Sequence, residues 1–300
     1  GIVDGLLIKL VYQYRILGTS NCMTRLLQRS ALALFNRKRA PCSAEAIAAF
    51  ARKAGISPDG WDRRIDEYTS IDDFFTRAYA KLDWGAPRAR HIVSPSEGTA
   101  VAFASVGLMR QLWVKQKALT MQNMGIPSKF LPRFEECSVC YLKLDVNNLH
   151  RFYAPVAGKI VARVDYLENL RMSHSVRPFC LHAGWNILTE NRRVLLLIEN
   201  DVFGTVLMMI VGGIAIDGID MIVEEGDVVK QGQEVGCFHM GGSAILLAVS
   251  NRGGGQKRGS ARGVQLREDL EVSSLLKNEF GVRVGDTLMQ AVDEEGVKME

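Results

Sequence analysis

The sequence has little proline, little net charge and no long hydrophobic run. Its 300 residues include only 8 prolines, and 37 Lys and Arg against 33 Asp and Glu leave a formal net charge of +4. Scarce proline excludes a proline-rich linker, and the small charge gives no sign of nucleic acid as a partner. With 47% hydrophobic and 23% charged residues, the composition predicts one large globular domain preceded by helices.

Cysteine is also sparse, and only two of the six cysteines share a spacing typical of a metal or redox site. Cys137 and Cys140 lie in a Cys-Ser-Val-Cys segment that runs directly into the strand-like residues 141–144. No second Cys-x-x-Cys pair follows at the distance that a zinc ribbon requires. We therefore predict a buried strand here, free thiols in a reducing compartment and no metal site.

Residues 1–80 have the texture of a helical region. Ala44 to Ala54 is rich in helix formers, residues 57–60 (Ser-Pro-Asp-Gly) are typical of a turn, and Ser70 is placed to begin a second helix. Residues 2–14 carry apolar side chains at helical spacing, but charged residues interrupt them before they reach the roughly 18 that a spanning helix needs. This N-terminal region is a candidate for contact with a membrane surface.

Residues 81–300 read as a mostly antiparallel β domain, so the fold class is α+β. Short runs of Val, Ile and Leu, broken by Gly or Pro, include residues 158–161, 193–198, 204–210 and 244–249. Two segments, 223–229 and 282–288, repeat a Gly-Asp pair between apolar residues, as expected for turns between strands. The repetition predicts a barrel or a sandwich-like sheet structure.

A Gly-Gly-Ser turn at residues 241–243 lies between two such runs and is the sharpest feature of the sequence. Other motifs precede it in a fixed order: residues 68–77 (Tyr-Thr-Ser-Ile-Asp-Asp-Phe-Phe-Thr-Arg), 93–98 (Val-Ser-Pro-Ser-Glu-Gly), 113–115 (Trp-Val-Lys), 149–156 (Leu-His-Arg-Phe-Tyr-Ala-Pro-Val), 188–194 (Leu-Thr-Glu-Asn-Arg-Arg-Val) and 211–213 (Val-Gly-Gly). Together they resemble the phosphatidylserine decarboxylases, in which a similar Gly-Ser turn cleaves itself to make a pyruvoyl group. The colinear order over so much of the chain makes chance an unlikely cause.

The resemblance implies a pyruvoyl cofactor derived from Ser243. The hydroxyl of this serine would attack the carbonyl of Gly242, and elimination would leave a pyruvoyl group at a new N-terminus. The products would be a chain of residues 1–242 and a chain of residues 243–300. The implied reaction is the decarboxylation of phosphatidylserine to phosphatidylethanolamine, in which the pyruvoyl ketone reacts with the substrate amine and accepts electrons.

The resemblance also assigns candidate catalytic residues. His150 matches a histidine that serves as proton donor, with a histidine anchoring a strand end as the structural alternative. Glu97 and Tyr153 stand where the family has an aspartate and a second histidine, which form the base system for self-cleavage. A tyrosine with a pKa near 10 is a poor proton acceptor at neutral pH. Either the base is rearranged, with Glu97 or His150 acting directly, or the chain has kept the fold and lost processing.

Several further residues are candidates for substrate contact. Arg193 would hold a carboxylate or phosphate, or else brace a strand turn, while Trp113 and Phe152 would line a pocket or else belong to the core. His239, before the Gly-Gly pair, is a proton shuttle or a packing residue.

The expected partners follow from the same resemblance. The substrate is a phospholipid or a free amino acid, and the enzyme is expected to be peripheral to a membrane, with residues 1–80 and the basic loop 251–263 facing anionic lipid. A homo-oligomer is compatible with the sequence. The alternative from another class is an unprocessed pseudoenzyme that binds lipid or activates a partner.

Overall fold

The computed structural model describes residues 33, 36–111, 120–166, 187–212, 218–240, 243–251 and 263–292. Its helices are α1 (Ala44–Ala54), α2 (Ile71–Phe75), α3 (Val106–Met109), α4 (Ile187–Glu190) and α5 (Glu268–Leu275), with 3₁₀ turns at Ile65–Glu67 and Ser128–Phe134. Its strands are β1 (His91–Val93), β2 (Gly98–Phe103), β3 (Cys137–Leu144), β4 (Arg151–Tyr153), β5 (Gly158–Tyr166), β6 (Arg193–Asn200), β7 (Gly204–Gly212), β8 (Ile219–Met221), β9 (Val228–Val229), β10 (Glu234–Phe238), β11 (Ser243–Ser250), β12 (Gly263–Leu266), β13 (Phe280–Val282) and β14 (Thr287–Val292).

The two predicted N-terminal helices form because their caps satisfy free backbone groups. Ser43 caps α1 by accepting a hydrogen bond from the Ala46 amide, and Gly55 ends the helix with a positive φ of 71°. Ser70 caps α2 by accepting a hydrogen bond from the Asp73 amide. These helices confirm the helical part of the predicted fold, while residues 1–32 lie outside the described residues.

Three antiparallel sheets contain the strands of the described chain. The largest has the order β13-β2-β3-β11-β7-β6-β5-β9, and the two smaller ones have the orders β1-β14-β12 and β4-β10-β8. None of them closes on itself, so the sandwich-like form of the prediction is confirmed and the barrel form is not. The repeated Gly-Asp segments do form matching turns, since Asp227 and Asp286 each accept a hydrogen bond from an amide three residues earlier.

The large sheet is buried on both faces, which explains its nearly continuous apolar strands. In β11, Ile245, Leu247 and Val249 pack in the core shared with the small sheets. Ala244 and Leu246 pack on the opposite face, toward the 3₁₀ turn at Ser128–Phe134. The predicted Cys137–Cys140 strand is β3, where burial raises the pKa of both thiols to about 12.

The elements after residue 242 are woven into the rest of the fold. Strand β11 lies between β3 and β7, β13 pairs with β2, and β14 pairs with β1. Cutting the chain before residue 243 would therefore leave three strands of the short piece held by strands of the long piece.

Candidate active site

Ser243 is the first residue of β11, at one end of the central strand of the large sheet. It lies opposite Leu144 of β3 and Gly212 of β7. Because side chains alternate along a strand, Ser243 shares a face with Ile245, toward the small sheet β4-β10-β8. The residue is 7% exposed, and its Oγ atom has no hydrogen-bond partner in the part of the chain that the structure describes.

A buried hydroxyl without a hydrogen-bond partner lowers the stability of the fold, so its presence at this position calls for a functional reason. Leaving a buried polar group without a hydrogen bond costs on the order of 1–3 kcal/mol. Such groups in a native fold are often strain reservoirs or reacting groups. Gly242, whose carbonyl Ser243 would attack, and Gly241 before it lie outside the described residues.

Two connections between the same pairs of strands relate His150 to this serine in the topology. Residues 145–150 connect β3 to β4, and residues 239–242 connect β10 to β11. Strands β3 and β11 pair at Leu144 and Ser243, and the Phe238 amide donates to the His150 carbonyl at 2.7 Å. The topology therefore places His150 at the end of one connection and Ser243 at the end of the other.

The surroundings of His150 hold its imidazole neutral. Its ring is buried, packs 3.7 Å (centroid to centroid) from Phe75, and has Nδ1 2.9 Å from the Asn148 carbonyl. A carbonyl only accepts hydrogen bonds, so Nδ1 carries the proton and Nε2 keeps its lone pair. Burial and the nearby Arg77 charge lower the pKa of His150 to about 3. The imidazole is thus unprotonated at neutral pH.

Arg77 organises the backbone before His150, although sequence reasoning gave it no role. Its guanidinium is fully buried, donates to the Asn147 and Asn148 carbonyls at 2.8 and 2.9 Å, and lies 4.3 Å from the Trp61 ring. Burial lowers the pKa of Arg77 to about 10, so it stays charged at pH 7. Its only sequence signal was its place in the motif at residues 68–77.

The motif at residues 93–98 lies alongside the motif at residues 149–156, as the resemblance requires. Glu97 accepts hydrogen bonds from the Leu149 amide at 2.5 Å and the Tyr79 hydroxyl at 2.6 Å. Ser96 donates to backbone carbonyls on both sides of His150. No hydrogen bond joins Glu97 to Ser243 among the described residues, and both of its carboxylate oxygens are engaged elsewhere.

Tyr153 and Phe152 point to opposite faces of β4. Tyr153 packs its ring 5.2 Å from that of Trp84, and burial, with the Glu234 charge, raises its pKa to about 12. A tyrosine in this state is protonated at neutral pH and cannot accept a proton. Phe152 is fully buried in the core, with its ring 4.9 Å from that of Phe238.

Arg193 braces the end of the large sheet near Ser243. It is 3% exposed and donates to the carbonyls of Met124, Thr189 and Asn191. These contacts favour the bracing interpretation over binding of a substrate anion. Trp113, the remaining candidate for substrate contact, lies outside the described residues.

His239 precedes Gly241 by two residues and lies between two carboxylates. Its Nδ1 is 2.7 Å from Asp72 Oδ2 and its Nε2 is 2.7 Å from Asp220 Oδ2. Asp72 also accepts a hydrogen bond from the Met240 amide at 3.1 Å, so helix α2 anchors the chain just before Gly241. The hydrogen bond to Asp72 raises the pKa of His239, reinforced by that to Asp220 and opposed by burial.

These sites belong to a chain whose relatives are known by their reaction. A match to the phosphatidylserine decarboxylase family covers residues 71–287, which include every described residue of the site from Asp72 to Ser243. The chain therefore belongs to the phosphatidylserine decarboxylase family, a family of carboxy-lyases.

Individual relatives are distant but consistently named. The phosphatidylserine decarboxylase proenzyme 2 of Komagataella phaffii is 27% identical over 256 residues, covering 82% of this chain and 25% of that protein. Proenzyme 3 of Schizosaccharomyces pombe is 26% identical over 84% of this chain and 25% of that protein. The proenzyme of Fusobacterium nucleatum is 28% identical over 69% of this chain and 68% of that protein. The chain thus matches about a quarter of the length of the two fungal relatives.

Proposed function

We propose that this chain cleaves itself between Gly242 and Ser243 and then converts phosphatidylserine into phosphatidylethanolamine and carbon dioxide. The observation that carries the proposal is the buried, unpartnered Oγ of Ser243, at the head of a central strand and beside the connection that ends at His150. Family membership supports the same reading.

Self-cleavage requires Ser243 Oγ to lose a proton as it attacks the Gly242 carbonyl carbon. An ester forms there as the peptide C–N bond breaks, and elimination across Cα and Cβ of residue 243 then releases residues 1–242 with a carboxylate end. Hydrolysis of the resulting dehydroalanine, with loss of ammonia, leaves the pyruvoyl group. A glycine before the nucleophile leaves the attacked carbonyl open to approach.

We assign the uptake of the Ser243 proton to His150, whose imidazole is unprotonated at neutral pH. Its Nδ1 proton is committed to the Asn148 carbonyl, so Nε2 is the atom that takes up a proton. The proton accepted at Nε2 is then available for return, which would let one histidine serve both self-cleavage and decarboxylation.

Glu97 and Tyr153 take supporting roles in this proposal. Glu97 fixes the amide immediately before His150, and Tyr153 packs on Trp84. They would keep the imidazole in place, and the exchange of the family's aspartate and histidine for these residues would then be a rearrangement that makes His150 the base.

Residue 243 fits a pyruvoyl group because its position is buried and bordered by Gly212, which adds no side chain. A pyruvoyl group supplies a ketone that reacts with the substrate amine and draws electrons from the bond to the departing carboxylate. The surrounding layer of apolar side chains would exclude water, and His150 would move the proton.

The membrane contact belongs to the proposal as well. No helix in the described ranges is long and apolar enough to cross a bilayer. A phospholipid substrate would be met at the membrane surface, and the apolar positions of residues 2–14, with the basic residues of 252–262, are the segments we assign to that contact.

Intact-mass measurement of the purified chain beside a Ser243→Ala control tests the first step. We expect two pieces, residues 1–242 and 243–300, from the wild type and one uncut chain from the variant. Because strands of the short piece pair with strands of the long piece, the two should stay together until denaturant is added. An uncut wild-type mass would reject self-cleavage and favour the pseudoenzyme.

Release of carbon dioxide tests the second step. Vesicles containing phosphatidylserine and solutions of free amino acids are compared on the cleaved protein. We expect release of carbon dioxide from the vesicles. Release from free amino acids alone would support pyruvoyl-dependent decarboxylation but reject phosphatidylserine as the substrate. Release from neither would reject the proposal that the chain is an enzyme.

A further inference from the structure

Three potential metal ligands of different chemical types meet on the outer face of the sheet β4-β10-β8. Cys237 of β10 lies directly opposite Asp220 of β8, and His239 follows Cys237 by two residues, so all three side chains lie on one face. Their ligand atoms lie within 4.8 Å of one another. Phe238, between the cysteine and the histidine, points into the core instead.

From this arrangement we propose that Asp220, Cys237 and His239 form a binding site for a zinc-like divalent metal ion, beside the serine turn. A thiolate, an imidazole and a carboxylate make up a ligand set that zinc accepts. Water would complete a four-coordinate ion, because the Asp220 side chain is 61% exposed.

The orientation of His239 supports this assignment independently of the cluster itself. Asp72 Oδ2 lies 2.7 Å from Nδ1, the Asp72 side chain is 8% exposed, and its Oδ1 accepts a hydrogen bond from the Met240 amide. A carboxylate that holds one ring nitrogen of a histidine and aims the other is the usual support for a metal-binding imidazole. With the proton on Nδ1, the lone pair of Nε2 faces Asp220 Oδ2 at 2.7 Å. Two acceptors at that distance require a cation or a proton between them.

The local charge is suited to a divalent ion. Asp72 and Asp220 bring two negative charges, one of them partly offset by Arg39, whose Nε lies 3.3 Å from Asp72 Oδ2. A Cys237 thiolate would add a third. Arg151 lies opposite Cys237 on the other side of β10, but its guanidinium is paired with Glu234 at 2.6 Å. Metal binding exchanges the thiol proton for the ion, and one proton leaves to solvent.

Only modest movement would form the site. Zinc–sulfur bonds of about 2.3 Å and zinc–nitrogen or zinc–oxygen bonds of about 2.0–2.2 Å separate neighbouring ligand atoms by roughly 3–4 Å. The exposed Asp220 carboxylate would move slightly away from Nε2, while Cys237 and His239 are held by the β10 ladder and Asp72. The bound ion would link β8 to β10 and, through Asp72, to helix α2. Its ligand His239 lies three residues before Gly242.

Cobalt binding to the purified, metal-free chain tests the proposal. Co²⁺ is the probe because a thiolate ligand gives it a charge-transfer absorption in the near ultraviolet, and zinc should displace it. We expect one ion per chain with that absorption, in the wild type and in Ser243→Ala alike. Binding in the uncut variant keeps this test separate from self-cleavage.

Matched variants identify the ligands. Cys237→Ser should abolish the charge-transfer band, whereas Cys42→Ser, at another partly exposed free cysteine, should leave it unchanged. Asp72→Asn should weaken binding by about 10- to 100-fold, the usual effect of losing such a supporting carboxylate. Should Cys237→Ser not fold, Asp220→Asn, at an exposed side chain, should lower the affinity.

Two results would overturn the proposal. One is the absence of stoichiometric cobalt and zinc binding, which would leave His239 as a protonated link between two carboxylates. The other is binding whose spectrum and affinity are the same in Cys237→Ser and Asp220→Asn as in the wild type, which would place the ion elsewhere.

Discussion

Two histidines of the candidate site have surroundings that prepare them for opposite tasks. His150 is enclosed by Phe75, the Arg77 charge and a backbone carbonyl, and its pKa is lowered to about 3. His239 is held between Asp72 and Asp220, and its pKa is raised. Identical side chains thus differ in protonation because one faces a cation and apolar surface and the other faces anions.

The contrast distinguishes a histidine suited to proton transfer, His150, from one that positions the chain before the serine, His239. The unprotonated His150 has a lone pair at Nε2, while His239 is linked through Asp72 to the chain before Gly241. Removing one source of this contrast at a time should therefore have separable effects.

The largest effect is expected from Arg77→Met, which keeps the apolar stem and removes the guanidinium. The Asn147 and Asn148 carbonyls lose their donors, so the free energy of unfolding should fall by about 2–4 kcal/mol. The pKa of His150 should rise, because a nearby positive charge is gone. Urea denaturation and NMR titration of the imidazole measure the two effects.

The matched control is Arg64→Met. This arginine is 81% exposed and pairs with Asp66, so its loss should change the free energy of unfolding by less than about 0.5 kcal/mol. A His150 pKa that does not move in Arg77→Met would contradict our account of why the imidazole is neutral.

The two histidines should give stability opposite dependences on pH. For His150, the unfolded chain takes up a proton near pH 6.5 and the folded chain only near 3, so between these values stability falls on acidification by up to about 1.4 kcal/mol per pH unit. His150→Gln should remove that loss. For His239 in the metal-free chain, with its raised pKa, the stabilisation is complete below pH 6.5 and is lost as pH rises through the folded-state pKa.

Urea denaturation of His150→Gln and His239→Gln at several pH values checks these signs. The first variant should be less sensitive to acid than the wild type, and the second should no longer lose stability in the pH range just above 6.5. Slopes of the same sign for both histidines would show that the assigned protonation states are wrong.

A smaller effect is expected from Asp72→Asn, which weakens the anchor on His239 and Met240. The turn would be held less firmly, and self-cleavage should slow by about 10-fold, since small misplacements of reacting groups reduce rates strongly. Asp73→Asn is the control, because this neighbouring carboxylate binds Arg63 and Thr69. Gel analysis of cleavage over time measures both, and equal slowing would exclude a specific role for Asp72.

The smallest effect is expected from Glu97→Gln. The amide oxygen still accepts from the Leu149 amide, so a positioning role predicts cleavage within about 3-fold of the wild type. If the Glu97 carboxylate were itself the base, the same change would stop cleavage. The time course of the two pieces on a denaturing gel therefore decides between Glu97 and His150.

Local patterns in the sequence predicted much of the fold. The Ser70 cap, the apolar runs that became β5, β6, β7 and β11, and the two Gly-Asp turns depend on neighbours a few residues apart. The family motifs likewise brought out His150 and Ser243, because a Gly-Ser turn carries its chemistry in adjacent residues. Glu97 and Tyr153 stand at the positions of the family's base system, and whether Glu97 or His150 acts as the base stays a prediction.

The sequence by itself determined the apolar runs, the turns and the Gly-Gly-Ser nucleophile. Only the tertiary structure decided which groups surround the two histidines and Cys237. Arg77 reaches carbonyls 70 and 71 residues away, Asp72 reaches His239 across 167 residues, and Cys237 meets Asp220 only through strand register. Protonation and ligand geometry depend on such distances, and distances between remote residues are fixed by packing and strand pairing rather than by local sequence.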